Sequence, residues 1–529
     1  MKKIFAILYV IAVLGLCGCD KGFLDTDPTD RVSGTLIFSN AENALSAVNG
    51  LYRLCNLAGW GSGWTHENGG LPSVILTMDL KAEDHLMDSQ GSGWFYEDYR
   101  YGTFGDYSNT AGHQYQFWNM FYTIISNTNY ILDNKEMEGT SSAINYAIGQ
   151  AFAMRAYCYS WLIQIYQQNG GAAGSAQRDL PGVPIYTGPT VAGSPGAGRG
   201  TVQNVYDQIN ADIDSAIARL SATDIKQMHK SHIDLAVAYG LKARFALIEQ
   251  DFPTALSAAE SCLALKNHVG TASDIAQIND VSKNNVLWGI AIQTDQALGN
   301  ASVYSHMDSD CKSTYSKARH LIVKWLYNQI PAGDARLAWW TGDIPEASWG
   351  DAGTANGSTR SFCQKKLVYK NAAASTGDHI LLRTEEVYLT AAEAACRTND
   401  YTKARQYLGA LEDARIGATA SAARLALYPD SNTLGTDTFA APASLLDEII
   451  LQRRIELWGE WPRIFDIQRL GLAFDRTGGL NHEPKYILKE LTSKVASANF
   501  ILWIPQAEFD GNENMNAATD QNPEQGEGK

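Results

Sequence analysis

One segment constrains the fold more than any other: Leu445 to Gly471, LLDEIILQRRIELWGEWPRIFDIQRLG. Leu446, Ile449, Ile450, Leu457, Trp458 and Trp461 recur at helical steps and lay an apolar stripe along one side of a helix. Arg453 and Arg454 fall within or beside that stripe, and Glu456 and Glu460 follow one turn on. A guanidinium that close to a core costs several kcal/mol unless a carboxylate and further hydrogen bonds meet it. Pro462 disfavours helix at Trp461, so the chain kinks there before a second short helix that Gly471 closes. The pattern predicts a buried ion network that locks helices together, in preference to a catalytic carboxylate pair.

Much of the remaining chain is helical. Helices are expected from Asn40 (as N-cap), over 115–132, 143–166 and 202–220. The 233–265 segment repeats further on at an offset of 149: Tyr239, Ala243, Ala246, Asp251, Phe252 and Ala255 match Tyr388, Ala392, Ala395, Asp400, Tyr401 and Ala404. Each copy reads as a helix, a turn at an Asp-aromatic pair, and a second helix. Small alanines let the helices approach while the aromatic plugs the gap, as in tetratricopeptide-like pairs. Residues 270–378 interrupt the array, with a helical period only over about 318–329, and 500–504 reads as a short strand. The fold class is mostly α: a helix-pair scaffold with long irregular loops and a few short strands.

Aromatic residues are concentrated in loops. Between Trp94 and Tyr130 lie 13 aromatics in 37 positions, against 10% in the whole chain. Phe117, Phe121, Ile124, Ile125 and Leu132 have helical spacing and read as core. Trp94 to Tyr107 has no helical period and is broken by Gly102 and Gly105, so some of its rings are expected to face solvent. The glycine-rich loop from Gly59 to Gly70 adds Trp60 and Trp64. The 270–378 insert adds Trp288, Tyr304, Tyr315, Trp339, Trp340 and Trp349 among Gly, Asp, Ser and Asn.

The N-terminus points to a compartment. Lys2-Lys3 precede an apolar run, Ile4 to Leu16, that is too short to span a bilayer, and Leu16-Cys17-Gly18-Cys19 has the form of a bacterial lipobox. Residues 1–18 are then a lipoprotein signal peptide, Cys19 carries the lipid, and 19–34 form an acidic tether. Residues 35–529 make a single domain, which touches the membrane only through that lipid. A net charge of −15, from 42 Lys and Arg against 57 Asp and Glu, disfavours nucleic acid.

Enzyme signatures do not survive inspection. His66-Glu67 lacks the second histidine of a zinc-protease helix, and Ser309-Asp-Cys-Lys312 lacks its companion motifs. Asp510, Asn512 and Asn514 imitate a calcium loop, but Met515 and Gln521 occupy the positions that need Gly and Glu. The cysteines beyond the leader form no C-x-x-C pair. No metal, cofactor or catalytic group is expected. Binding remains: sugars offer flat C–H faces and a rim of hydroxyls, which exposed Trp or Tyr and neighbouring polar groups recognise. Trp94 with Tyr96, and Asp79 as a hydrogen-bonding residue, have that composition.

The Arg453-Arg454-x-Glu456-Leu457 helix, followed by Phe465-Asp466-x-x-Arg469, resembles the C-terminal signature of the SusD/RagB family. Phe23-Leu24-Asp25, Pro28, Pro505-Gln506 and Asn522-Pro523 resemble its ends. Gln452 stands where glutamate is common, and Glu524-Gln525 where Gly-aromatic is usual. The resemblance spans nearly the whole mature chain and implies a surface-exposed lipoprotein of the outer membrane in a Bacteroidetes-type bacterium. Such a protein would capture an oligosaccharide and deliver it to a SusC-like, TonB-dependent transporter. It also implies a stacking aromatic soon after an acidic stretch and further rings from the insert. Trp94 is therefore the leading ligand contact, with Tyr304 and Trp340 as partners and Tyr96, Asp79 and Trp64 nearby. A peptide ligand is the alternative within the family; a surface glycosidase is the alternative outside it.

Overall fold

The structure is a computed structural model that describes residues 40–61, 66–101, 112–134, 137–167, 174–190, 193–472, 476, 479–482 and 500–522. Cys19, Trp64, the signal peptide and the tether lie outside the described residues.

Helices α1 (Ala41–Leu54) and α2 (Leu71–Leu80) lead into strand β1 (His85–Met87) and the short α3 (Tyr96–Arg100). Asn40 caps α1 by accepting the Asn43 N–H at 2.9 Å, as the sequence predicts. The apolar run 74–80 is the body of α2, whose ten residues are all buried. A helix without a polar face has no amphipathic period to read. Then come α4 (His113–Asp133), α5 (Ser141–Tyr166), a small antiparallel pair of β2 (Pro181–Pro184) and β3 (Arg199–Thr201), and α6 (Val202–Ser221).

The repeated segments are two helix pairs, α7 (Leu235–Ile248) with α8 (Phe252–Leu265), and α9 (Thr384–Arg397) with α10 (Tyr401–Ile416). Both turns are built alike. A left-handed residue, Gln250 (φ 61°) or Asn399 (φ 65°), precedes an aspartate that caps the next helix. Asp251 accepts from Thr254 N at 3.2 Å, and Asp400 from Lys403 N at 3.1 Å. The pairs are distant in sequence but stack directly, α8 against α9, continuing a run of packed neighbours from α4 through α10. Between them the insert leaves on β4 (Val286–Ile290) and returns on β6 (His379–Arg383), which pair antiparallel. Inside the insert, β5 (His320–Ile322) pairs with β1. The helix expected over 318–329 is this strand followed by one short helix, Lys324–Asn328. Residues 500–504 form no strand; Leu502 instead donates to the Ile165 carbonyl at 2.8 Å.

After α11 (Ala418–Leu425), the organising segment forms α12 (Leu445–Glu456) and α13 (Arg463–Leu470), with Gly471 closing α13 at φ 64°. Helix α12 is buried on nearly every side, which is why its arginines need partners. Arg453 pairs with Asp466 at 2.9 Å and Arg454 with Asp84 at 2.6 Å. Glu456, fully buried, accepts from Arg415 (2.8 Å), Arg383 (2.9 Å) and Arg336 (3.3 Å), and Glu460 pairs with Arg383 and Lys366. Gln452 accepts from Arg336 at 2.6 Å and donates to Glu448 at 2.7 Å, both of which its amide can do at once. The partners come from α10, β6, the insert and the α2–β1 turn, so this network ties scaffold to loops. Near the C-terminal end of the described residues, α14 (Gln506–Gly511) packs near α4 through Trp118 Nε1, which donates to Glu508 at 3.0 Å.

Candidate functional site

Trp94 sits on a turn that follows β1. The backbone at Gly91 comes so close to the insert that a Cβ there would lie 2.7 Å from Ala318 N. This close approach, which only glycine allows, lays the turn beside Tyr315. The next residue, Phe95, is left-handed (φ 61°), and its N–H donates to the buried Glu67 carboxylate.

Three half-buried rings from three segments meet there. His66 lies flat on Trp94, centroids 4.7 Å apart and planes 13° from parallel, and Tyr315 leans on His66 at 4.2 Å. Beneath them, His306 is fully buried and its Nε2 is 3.3 Å from His66 Nδ1. Burial lowers the pKa of His66, so its ring is neutral at pH 7 and the cluster carries no charge of its own. A neutral, ring-faced surface flanked by polar loops suits stacking against an uncharged ligand.

The other predicted contacts lie elsewhere. Tyr304 is 4% exposed, stacks on His379 and donates its hydroxyl to the Asp378 carbonyl at 2.5 Å. Trp340 is 3% exposed and packs edge-on against Trp339 and Trp458. Tyr96 is buried in the first turn of α3 beneath the Arg100 guanidinium, 5.4 Å from the ring centre. Asp79 is buried and accepts the Arg463 N–H at 3.1 Å, capping α13 from a distant helix, with His85 Nδ1 at 2.8 Å from its other oxygen. Burial pushes its carboxyl up to about 7. Of these residues, Tyr96, Asp79, Tyr304 and Trp340 are interior and not surface contacts: Tyr96 and Trp340 belong to a second core where the insert packs on α12 and β1, Tyr304 is sealed between Tyr369 and His379, and Asp79 is covered by α13 and His85. His66 and Tyr315 were not singled out as contacts. Their signal is weak: a histidine in a glycine-rich loop, and one tyrosine among the ten aromatic residues of the 270–378 insert.

Glu67, Asp98 and His113 bring ligand-type atoms within 4.8 Å of one another, all buried. Both imidazole nitrogens face carboxylates, Nδ1 at 3.1 Å from Asp98 and Nε2 at 3.6 Å from Glu67. The ring is bracketed between two acids instead of sharing one focus with them. That geometry anchors α4 to the Trp94 turn and is a bracket of an imidazole between two carboxylates more than a metal cage.

Together these features define a helix-pair repeat protein whose inserted loops carry a partly exposed ring cluster. A family model described as "starch-binding associating with outer membrane" matches residues 78–247, and the SusD family model matches residues 341–524. The chain belongs to the SusD/RagB family. It is 22% identical to SusD-like protein P2 of Formosa agariphila over 97% of this chain and 99% of that one. A SusD-like carbohydrate binding protein from Bacteroides vulgatus superposes with a TM-score of 0.69 at 24% identity, covering 90% of this chain and 98% of the other. Surface glycan-binding protein A from Bacteroides uniformis gives 0.65 at 15% identity, over 91% and 99%.

Proposed function

We propose that this protein is a non-catalytic, surface-exposed lipoprotein of the outer membrane that captures an oligosaccharide and delivers it to a SusC-like, TonB-dependent transporter. The observation that carries the reading is the partly exposed Trp94–His66–Tyr315 cluster on a rigid helical frame. The family description, starch-binding and outer-membrane-associated, and relatives described as carbohydrate- or glycan-binding support it. Residues 1–18 act as signal peptide, Cys19 takes the lipid, 19–34 tether the body, and 35–529 work as one unit. No described helix is long and apolar enough to cross a membrane.

The glycosidase alternative needs a carboxyl that can exchange a proton beside a substrate. Glu456 is fully buried; burial opposes its charge, but Arg415 and Arg383 hold its carboxyl well below the usual range. It serves packing.

Calorimetry of the mature chain with maltoheptaose, cellohexaose, xylohexaose, mannohexaose and a tryptic casein digest tests ligand class. Glycan binding weakened by about tenfold or more in Trp94→Ala is expected; binding of the digest alone would overturn the sugar reading. Metabolic labelling with a palmitate analogue, abolished in Cys19→Ala, tests the anchor.

A further inference from the structure

Helix α4 carries rings on two faces: one enters the core, and the other, with Trp118 packed at the core's edge, borders a groove. Phe117, Phe121, Ile124 and Ile125 point into the main cluster. Tyr115, Trp118, Asn119, Tyr122, Ser126 and Asn129 recur at three, four and seven on another face and line a groove of about 440 Å³. Its opposite walls are Tyr186 with the 194–196 turn, and α14 with Asn512. The volume falls within the range of small-ligand pockets, about 300–1,000 Å³.

The walls are built, not incidental. Asn512 Nδ2 donates to the Ala197 carbonyl at 2.8 Å, and Asn514 Nδ2 to that of Gly196 at 2.7 Å. Asn129 Nδ2 holds the Tyr186 and Gly188 carbonyls at 3.0 Å each, and Arg155 secures Asn129 from behind at 2.7 Å. Gly196 is required: a Cβ there would sit 1.9 Å from Asn512 Oδ1.

The lining selects a ligand class. Trp118 and Tyr122 lie 4.7 Å apart, and Tyr186 meets Tyr122 edge-on at 5.9 Å. Among the described residues no Lys or Arg lines the groove, and the one acid there, Glu508, is engaged by Trp118 and Asn512. That disfavours anions and basic peptides. Among the described residues, the Tyr115 and Ser126 hydroxyls line the groove with no hydrogen-bond partner, and Ile125 is the one branched aliphatic there. Rings beside free hydroxyls suit neutral saccharide units better than a lipid chain.

We propose that this groove is a second saccharide-binding site, separate from the Trp94 cluster. It rests on the sugar reading made above. The two sites share a helix: α4 is bracketed to the Trp94 turn at His113 and holds the Trp60 carbonyl through Asn119 Nδ2 at 3.0 Å. Two sites along one helix allow a glycan chain to engage both, raising avidity by effective concentration.

The test uses the mature chain, the same glycans and the same digest. Ser126→Trp fills the groove from a half-exposed position, Tyr115→Ala removes a ring and hydroxyl at its rim, and thermal unfolding checks that both fold. We expect at least tenfold weaker binding of a glycan in Ser126→Trp, a smaller loss in Tyr115→Ala, and residual groove-dependent binding in Trp94→Ala. Wild-type glycan affinity in both groove variants, with Trp94→Ala losing everything, overturns the second site and leaves the first standing. Loss in the groove variants with none in Trp94→Ala removes the first and leaves the groove. Digest binding lost in Ser126→Trp, without any glycan effect, reassigns the groove to peptide and overturns the proposal.

Discussion

His66 lies flat against Trp94, planes 13° apart, and so fills one side of the indole with a neutral ring from a separate loop. The contact holds Trp94 in one orientation before any ligand arrives, which cuts the ordering cost of binding. His66→Phe should keep glycan affinity within about threefold, whereas His66→Ala should weaken it by about tenfold, roughly 1.4 kcal/mol. Because burial lowers the His66 pKa from its ordinary value of about 6.5, affinity should be flat from pH 8 to 6.5 and fall only at more acid pH than an ordinary imidazole would give, where the ring charges. Calorimetry across that range checks both.

Trp94 and Tyr304 should separate binding from stability. Trp94→Ala should lower glycan affinity by about tenfold or more, with little effect on the unfolding temperature, because its ring is only half-buried. Tyr304→Phe loses the bond to the Asp378 carbonyl, should cost about 1 kcal/mol of stability, and should leave affinity unchanged.

Asp79 should prove structural. Its carboxyl is raised to about 7, so between about pH 4 and 7 the folded state holds a proton that the unfolded chain has lost, and stability falls as pH rises through that window and levels off above it. Asp79→Asn keeps an acceptor for the Arg463 N–H and removes that dependence. It should be at least as stable as wild type at pH 8, while Asp79→Ala should lose about 1–3 kcal/mol. Chemical denaturation at pH 5 and 8 reads the difference.

Asp466 has the opposite sign. Burial opposes its charge, but Arg453 and Arg469 hold its carboxyl at about 2, below an ordinary value of about 3.9. Its stabilisation is present above about pH 4 and is lost as pH falls towards 2. Asp466→Asn should be less stable than wild type at pH 7, with the gap closing between about pH 4 and 2 in acid denaturation.

Glu456→Gln leaves buried guanidiniums under-compensated and should cost about 3–5 kcal/mol. Thermal unfolding checks this. A chromogenic glycoside turned over by wild type and not by the variant would instead make Glu456 catalytic.

Local patterns sufficed where the physics is local. The Asp251 and Asp400 caps, the Pro462 kink and the Gly471 stop each act within about one helical turn, so residue order alone reveals them. The family signature was equally legible, because Arg453, Arg454 and Glu456 cannot enter a core without partners. Which partners they take was not: Arg454 meets Asp84 across 370 residues. Ring exposure was not legible either. Tyr304, Trp340 and Tyr315 share one insert and one polar composition, yet Tyr304 and Trp340 are sealed by packing and Tyr315 remains part-exposed. Burial is a property of what folds over a side chain, and those covering segments, α12, β1 and β6, lie far away in the chain.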